Sequence, residues 1–265
     1  MKRLGRHFFL SGLIWLPPSL LYADDLVLTP TLYFFNYQEF NQNNQLLDKE
    51  QGAIPGLRLS FNPVQRAENL RAHVSLYGGR VDYTGQTQLG VPHETETIEQ
   101  LINFGVTLDP GYQSAFLDNI FFGFQYWNWD RDILTRNNVL GLHENYSWFE
   151  LELGLSLESR DNPSSSYWLS LSAFRTLGPK MKLKLPSSSV TLDLGSKPGF
   201  RLRAGKKWGN SRGWLSSVNL LVEYWEFGRS NSVFTDDFFG QSGFVTEPRS
   251  ETRHSALEFM IRYGF

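Results

Sequence analysis

Ten ionisable residues recur at alternate positions within otherwise apolar stretches: Arg58, Arg71, His73, Glu150, Glu152, Arg201, Arg203, Glu223, Glu258 and Arg262. Acids and bases interleaved on one face of extended segments can do two things. They can neutralise one another, because charge taken out of water must find a partner. Or they can line a passage and select the ions that cross it. A second group, Asp130, Asp132, His143 and Glu144 with His93 and Glu94, has the residue types of general acid–base chemistry, which requires them within hydrogen-bond reach of each other. Nothing in the sequence brings those segments together. His73 and His254 lie on strand-like stretches without an evident Ser partner. No P-loop, dinucleotide fingerprint or metal-ligand spacing occurs and there are no cysteines, so no cofactor and no metal is expected.

The elements that carry these residues alternate with period two, the signature of extended strands. Leu57, Leu59 and Phe61 alternate with Arg58 and Ser60; Phe149, Leu151, Leu153, Leu155 and Leu157 alternate with Glu150, Glu152 and Gly154; Phe200, Leu202 and Ala204 alternate with Arg201 and Arg203. The last stretch, Thr252–Phe265, sets Leu257, Phe259, Ile261, Tyr263 and Phe265 against Ala256, Glu258, Met260, Arg262 and Gly264. Ten such segments follow one another, and Met181–Leu185 within the stretch Gly178–Pro198 would add two more if it forms a separate pair of strands. Short turns at Asn62-Pro63, Asp109-Pro110-Gly111, Arg160–Ser165 and Gly209–Gly213 alternate with longer polar connections, Asn41–Gly52, Thr84–Thr97, Asp130–Asn145, Gly178–Pro198 and Gly228–Glu251. No run of eighteen apolar residues suits a spanning helix.

The N-terminus opens with Lys2, Arg3 and Arg6, then an apolar centre from Phe8 to Leu21 broken by Pro17-Pro18, and Ala23 before Asp24-Asp25. It reads as a secretory signal peptide over Met1–Ala23, leaving Asp24–Phe265 as a single domain. The full chain has 25 Lys+Arg against 27 Asp+Glu; removing three basic residues leaves 22 against 27, a formal charge of −5. That balance, without a basic cluster, argues against nucleic acid as a partner.

Alternating strands, segregated loop lengths, a signal and a terminal Phe together resemble bacterial outer-membrane β-barrels, whose closing strands typically end in Phe with an aromatic two residues earlier. The resemblance runs the length of the chain and identifies no subfamily. It implies an all-β fold, a transmembrane antiparallel up-and-down β-barrel of ten strands (or twelve), with short periplasmic turns and long extracellular loops, in the outer membrane of a Gram-negative bacterium. It implies outer-membrane lipid and lipopolysaccharide as surroundings, and Phe259, Ile261, Tyr263 and Phe265 as the signal read by the insertion machinery. Tyr126, Trp208, Trp214, Tyr224 and Tyr263 would stand in the interfacial belts.

A ten-stranded lumen carrying Trp127, Trp129, Trp148 and several Arg has little room for water. Two functions follow from that geometry: a scaffold presenting loops to a surface ligand, or a narrow selective channel. Omptin-type surface proteases also use ten strands, with carboxylates and a His at the loop base, but this chain carries none of their motifs. The Gly228–Glu251 loop, with Phe234, Phe238, Phe239 and Phe244, exposes more apolar surface than a passive loop requires and would either fold into the mouth as a lid or contact a partner.

Overall fold

The structure of the protein, a computed structural model, is described over residues 25–62, 69–86, 90–111, 119–159, 165–185, 188–209, 214–238 and 241–264. The candidate signal, Phe239 and Phe265 fall outside these residues, as do the side chains of Trp214, Phe238, Arg262 and Tyr263. The strands in order are β1 (Asp25–Phe40), β2 (Leu46–Phe61), β3 (Leu70–Gln86), β4 (Pro92–Leu108), β5 (Asn119–Ile133), β6 (His143–Glu158), β7 (Ser165–Lys184), β8 (Ser189–Asp193), β9 (Pro198–Gly209), β10 (Trp214–Phe227), β11 (Val233–Phe238), β12 (Gln241–Val245) and β13 (Arg249–Gly264). Each strand from β1 to β7 pairs antiparallel with the next, then β7 with β9, β9 with β10 and β10 with β13. Strand β13 returns to β1 with Leu28 opposite Ile261 and Tyr33 opposite Ala256. The result is a closed ten-stranded up-and-down barrel, in which no wall strand keeps an unpaired edge.

Closure accounts for the residue pattern. Around the lower wall the outward positions are large and apolar: Phe104 is 52% exposed, Leu151 55% and Leu220 61%. Such a girdle suits hydrocarbon and is costly in water. Above it the same alternation continues with its polarity reversed. On β1 the outward Leu28, Leu32 and Phe34 give way to inward, buried Tyr33, Phe35 and Tyr37. On β6 the outward Phe149 and Leu151 give way to inward Trp148 and Tyr146, while Ser147, Asn145 and His143 take the outer face. The barrel therefore continues past the lipid as a water-facing extension with an aromatic core.

This extension replaces much of the irregular loop expected from sequence. Asn41–Gly52 contains only a tight apex at 41–45, closed by the Asn41 N–H donating to the Gln45 carbonyl at 2.9 Å, before β2 begins at Leu46. Thr84–Thr97 and Asp130–Asn145 are likewise built largely from the ends of β3, β4, β5 and β6. The barrel has ten strands: Met181–Lys184 belongs to the upper part of β7, which pairs with β8 above the wall, and Leu185 follows its end. Gly178, at a φ of 55°, lies between the part of β7 paired with β9 and the part paired with β8. A residue with a Cβ adopts that φ only with strain.

Candidate functional site

Inward alternation converts separate strands into tiers across the lumen. Arg201 on β9 lies opposite Glu223 on β10 and Ser172 on β7. Its guanidinium reaches Glu223 at 2.5 Å, Glu152 at 2.9 Å and Glu150 at 3.2 Å, and covers the Phe174 ring at 4.7 Å. Glu152 also accepts hydrogen bonds from Gln125 Nε2 at 2.8 Å and Ser172 Oγ at 2.5 Å, and the Trp148 indole donates to Glu150 at 3.0 Å. One cation is held between three carboxylates; other donors satisfy the remaining oxygens of Glu150 and Glu152, while Glu223 Oε1 is buried without a partner.

Below it, towards the short turns, Arg58 and Arg203 approach Glu258 at 3.7 and 3.8 Å, beyond hydrogen-bond reach. Arg58 donates instead to Ser75 Oγ at 3.0 Å and to the Tyr77 hydroxyl at 3.3 Å. His73 shares a 2.7 Å hydrogen bond with Asn103 Oδ1. Arg71 stands apart at the lower rim of the lumen. Thus nine of the ten ionisable residues singled out in the sequence have described side chains, and seven of them form the two groups around Arg201 and Glu258.

An aromatic layer lies above them. Trp127 stacks on Trp148 with centroids 5.8 Å apart and planes 7° apart, and Trp225, Tyr33, Tyr77 and Phe35 fill the space around the pair. His254 is wedged against Tyr33, Phe35 and Trp225, and neither ring nitrogen has a hydrogen-bond partner. Trp127, Trp148 and Trp225 are each at most 3% exposed, so water is excluded at this level.

Within the extension a second arginine takes the centre. Arg131 continues the inward series Trp127, Trp129 of β5 and meets Glu144 at 2.7 Å, Glu39 at 2.8 Å, Glu50 at 2.9 Å and Asp48 at 4.0 Å, with the Tyr37 ring 4.7 Å below its guanidinium. Glu99 accepts from the Trp129 indole, and Glu247 from the Tyr146 hydroxyl at 2.7 Å. Six carboxyls surround one cation. Burial pushes the Asp48, Glu144 and Glu247 carboxyls above their ordinary range; neighbouring carboxyls add to the rise, and Arg131 only partly opposes it. Sequence reading missed this tier because Asp130–Asn145 looked like loop. The parity of Trp127-Trp129-Arg131-Ile133 was the signal that could have found it.

The candidate acid–base residues do not converge. His143 and Asp130 lie 3.3 Å apart on the outer face, each about 40% exposed, with Asp132 and Glu94 on that same face. Glu144 and His93 point inward and are buried. The wall separates the two halves of the set. Among the described residues no group of three His, Asp or Glu is arranged to hold a metal ion.

Of the expected interfacial aromatics, Trp208 is 41% exposed, while Tyr126 and Tyr224 are half-buried against Phe149 and Phe200. Phe259 and Ile261 face outward on β13.

No protein-family model matches the chain, and no curated relative matches it. Among solved structures it is similar to the outer-membrane protease OmpT from Escherichia coli, with a TM-score of 0.51 and 7% identity over 92% of this chain and 97% of that one. A weaker likeness is to the translocator domain of the autotransporter NalP from Neisseria meningitidis, at a TM-score of 0.43 and 11% identity over 91% and 88% of the two chains. At these identities the likeness concerns the fold, which is that of the bacterial outer-membrane β-barrels.

Proposed function

We propose that this protein is a non-conducting outer-membrane scaffold whose work is done at its outer rim. The observation that carries the reading is the aromatic layer around Trp127, Trp148 and Trp225, which leaves no water-filled path between the two arginine tiers. A selective channel needs sites an ion can enter and leave, and stacked indoles offer none.

The hairpin β11–β12 supports the surface half of the reading. Val245 and Val233 pack on the core at the mouth of the extension, while the paired Phe234 and Phe244 are 55% and 69% exposed on the opposite side. The hairpin thus both caps the mouth and presents two rings outward. Contact with lipopolysaccharide around the girdle, and recognition of β13 by the insertion machinery, belong to the same proposal.

Two measurements test it. Purified folded protein in planar bilayers is expected to give no discrete conductance; a steady single-channel current would overturn the sealed barrel. Since the chain has no cysteines, Phe244→Cys supplies a unique thiol. A membrane-impermeant maleimide is expected to label it on intact cells, whereas Asn62→Cys at the opposite end is labelled only after permeabilisation. The reverse pattern would remove the surface role.

A further inference from the structure

The sealed lumen is not filled throughout. Beneath the Arg201 tier a cavity of about 510 Å³ opens towards the end bearing the short turns. A space of that size takes a small organic molecule. Its walls are the barrel itself, so a soluble ligand fits better than a bilayer lipid.

The charges around it are unevenly satisfied. Glu152 is held by Arg201 at 2.9 Å, and Glu158 is held by Lys207 at 2.8 Å near the opening. That leaves Glu258 facing both Arg58 and Arg203, two cations on one carboxylate, at distances that make no hydrogen bond. Among the described residues the Arg203 guanidinium donates no hydrogen bond at all; its Nε is buried without a partner, and the side chain is 21% exposed. A buried unmet donor costs about 1–3 kcal/mol, more when charged.

Asn219, 1% exposed, repeats the pattern. Its Oδ1 accepts from the Trp168 indole at 3.2 Å, which fixes the amide orientation, and its Nδ2 is left without an acceptor. Gly205 makes room for this arrangement, because a Cβ there would collide with both Asn219 and Trp168. Phe121, Trp168 and Met260 add apolar surface to the same lining. Unmet donors and a surplus cation at depth, with rings and a thioether beside them, define a ligand with an anionic head and a flat apolar body.

We infer that this cavity is a binding site, entered from the periplasmic side, for a small organic anion such as an aromatic carboxylate, with Arg203 and Asn219 taking the carboxylate. The inference is independent of the role of the outer rim. The probe is benzoate, with benzylamine and benzyl alcohol as matched cation and neutral, followed by saturation-transfer NMR on the full folded barrel in detergent micelles. Benzoate is expected to saturate while the other two do not. Arg203→Gln weakens it by about tenfold or more, Arg203→Lys restores part of the affinity because charge returns without the guanidinium fork, and Lys182→Gln on the outer face leaves it unchanged. Folding of each variant is checked by heat-modifiable gel migration. Should Arg203→Gln fail to fold, Asn219→Asp keeps the acceptor for Trp168 but replaces the free donor with a carboxylate, and is expected to abolish benzoate binding. No saturation by benzoate would show that the cavity holds water only, and equal binding of benzylamine, or undiminished benzoate binding in a folded Arg203→Gln or Asn219→Asp variant, would overturn the anion site at Arg203 and Asn219.

Discussion

Arg131 is the residue on which the outer half of the barrel depends most directly. It is 1% exposed and is in ion-pair reach of four carboxyls. Arg131→Gln would leave them buried without a counter-ion, and is expected to lower stability by about 3–5 kcal/mol, read as a shift in the denaturant midpoint. The exposed pair Arg80–Glu96, 2.9 Å apart, is the contrast: Arg80→Gln is expected to cost no more than about 1 kcal/mol. The same tier sets a pH dependence. Asp48, Glu144 and Glu247 bind protons more tightly folded than unfolded. Their contribution is therefore full below the ordinary carboxylate range, and it is lost as pH rises through the elevated values. The unfolding temperature from gel mobility is expected to fall as pH rises from the ordinary carboxylate range towards neutrality, and Glu247→Gln to flatten the slope. A rise over that interval would contradict the tier. The partners of Arg131 were not legible in sequence, because Glu39, Asp48, Glu50 and Glu144 come from three strands that only closure brings together.

At the scale of the strand, period two was legible wherever the outward face was apolar. It was missed where the surroundings change from lipid to water. There β2 to β6 continue as ladder, but polar residues move to the outer face and aromatics to the inner one, so stretches such as Lys49–Gly52 read as loop. Two substitutions probe this organisation. Leu220→Arg, in the apolar girdle, is expected to cost about 2–4 kcal/mol in bilayers if it sits near mid-depth, whereas Lys182→Leu on the outer face of the extension should leave bilayer stability nearly unchanged. Equal effects would mean the girdle is misplaced. Gly56 faces Tyr77 so closely that a Cβ would strike the ring. Gly56→Ala must displace Tyr77, whose hydroxyl accepts from Arg58, and is expected to destabilise the barrel by about 1–3 kcal/mol in an unfolding titration.

For the whole molecule, the layered lumen makes conductance a question about one tier. Removing both stacked indoles in Trp127→Ala/Trp148→Ala empties the middle of the seal, at about 3–5 kcal/mol for each Trp, and is expected to produce current across planar bilayers where the intact protein gives none. A silent but folded double variant would place the barrier elsewhere. The ten-strand barrel and its girdle were legible from alternation and connection lengths, while the seal was visible only as a surplus of inward Trp. The extension has a further consequence, for the cell surface. Among the described residues its apices at 41–45 and 136–139 are short and closed by hydrogen bonds, and Lys180, Lys182 and Lys184 stand on paired β7 rather than on slack chain. Trypsin applied to living cells should find few segments it can thread. Antibodies raised against intact cells should recognise the folded tower and lose it once the protein is boiled.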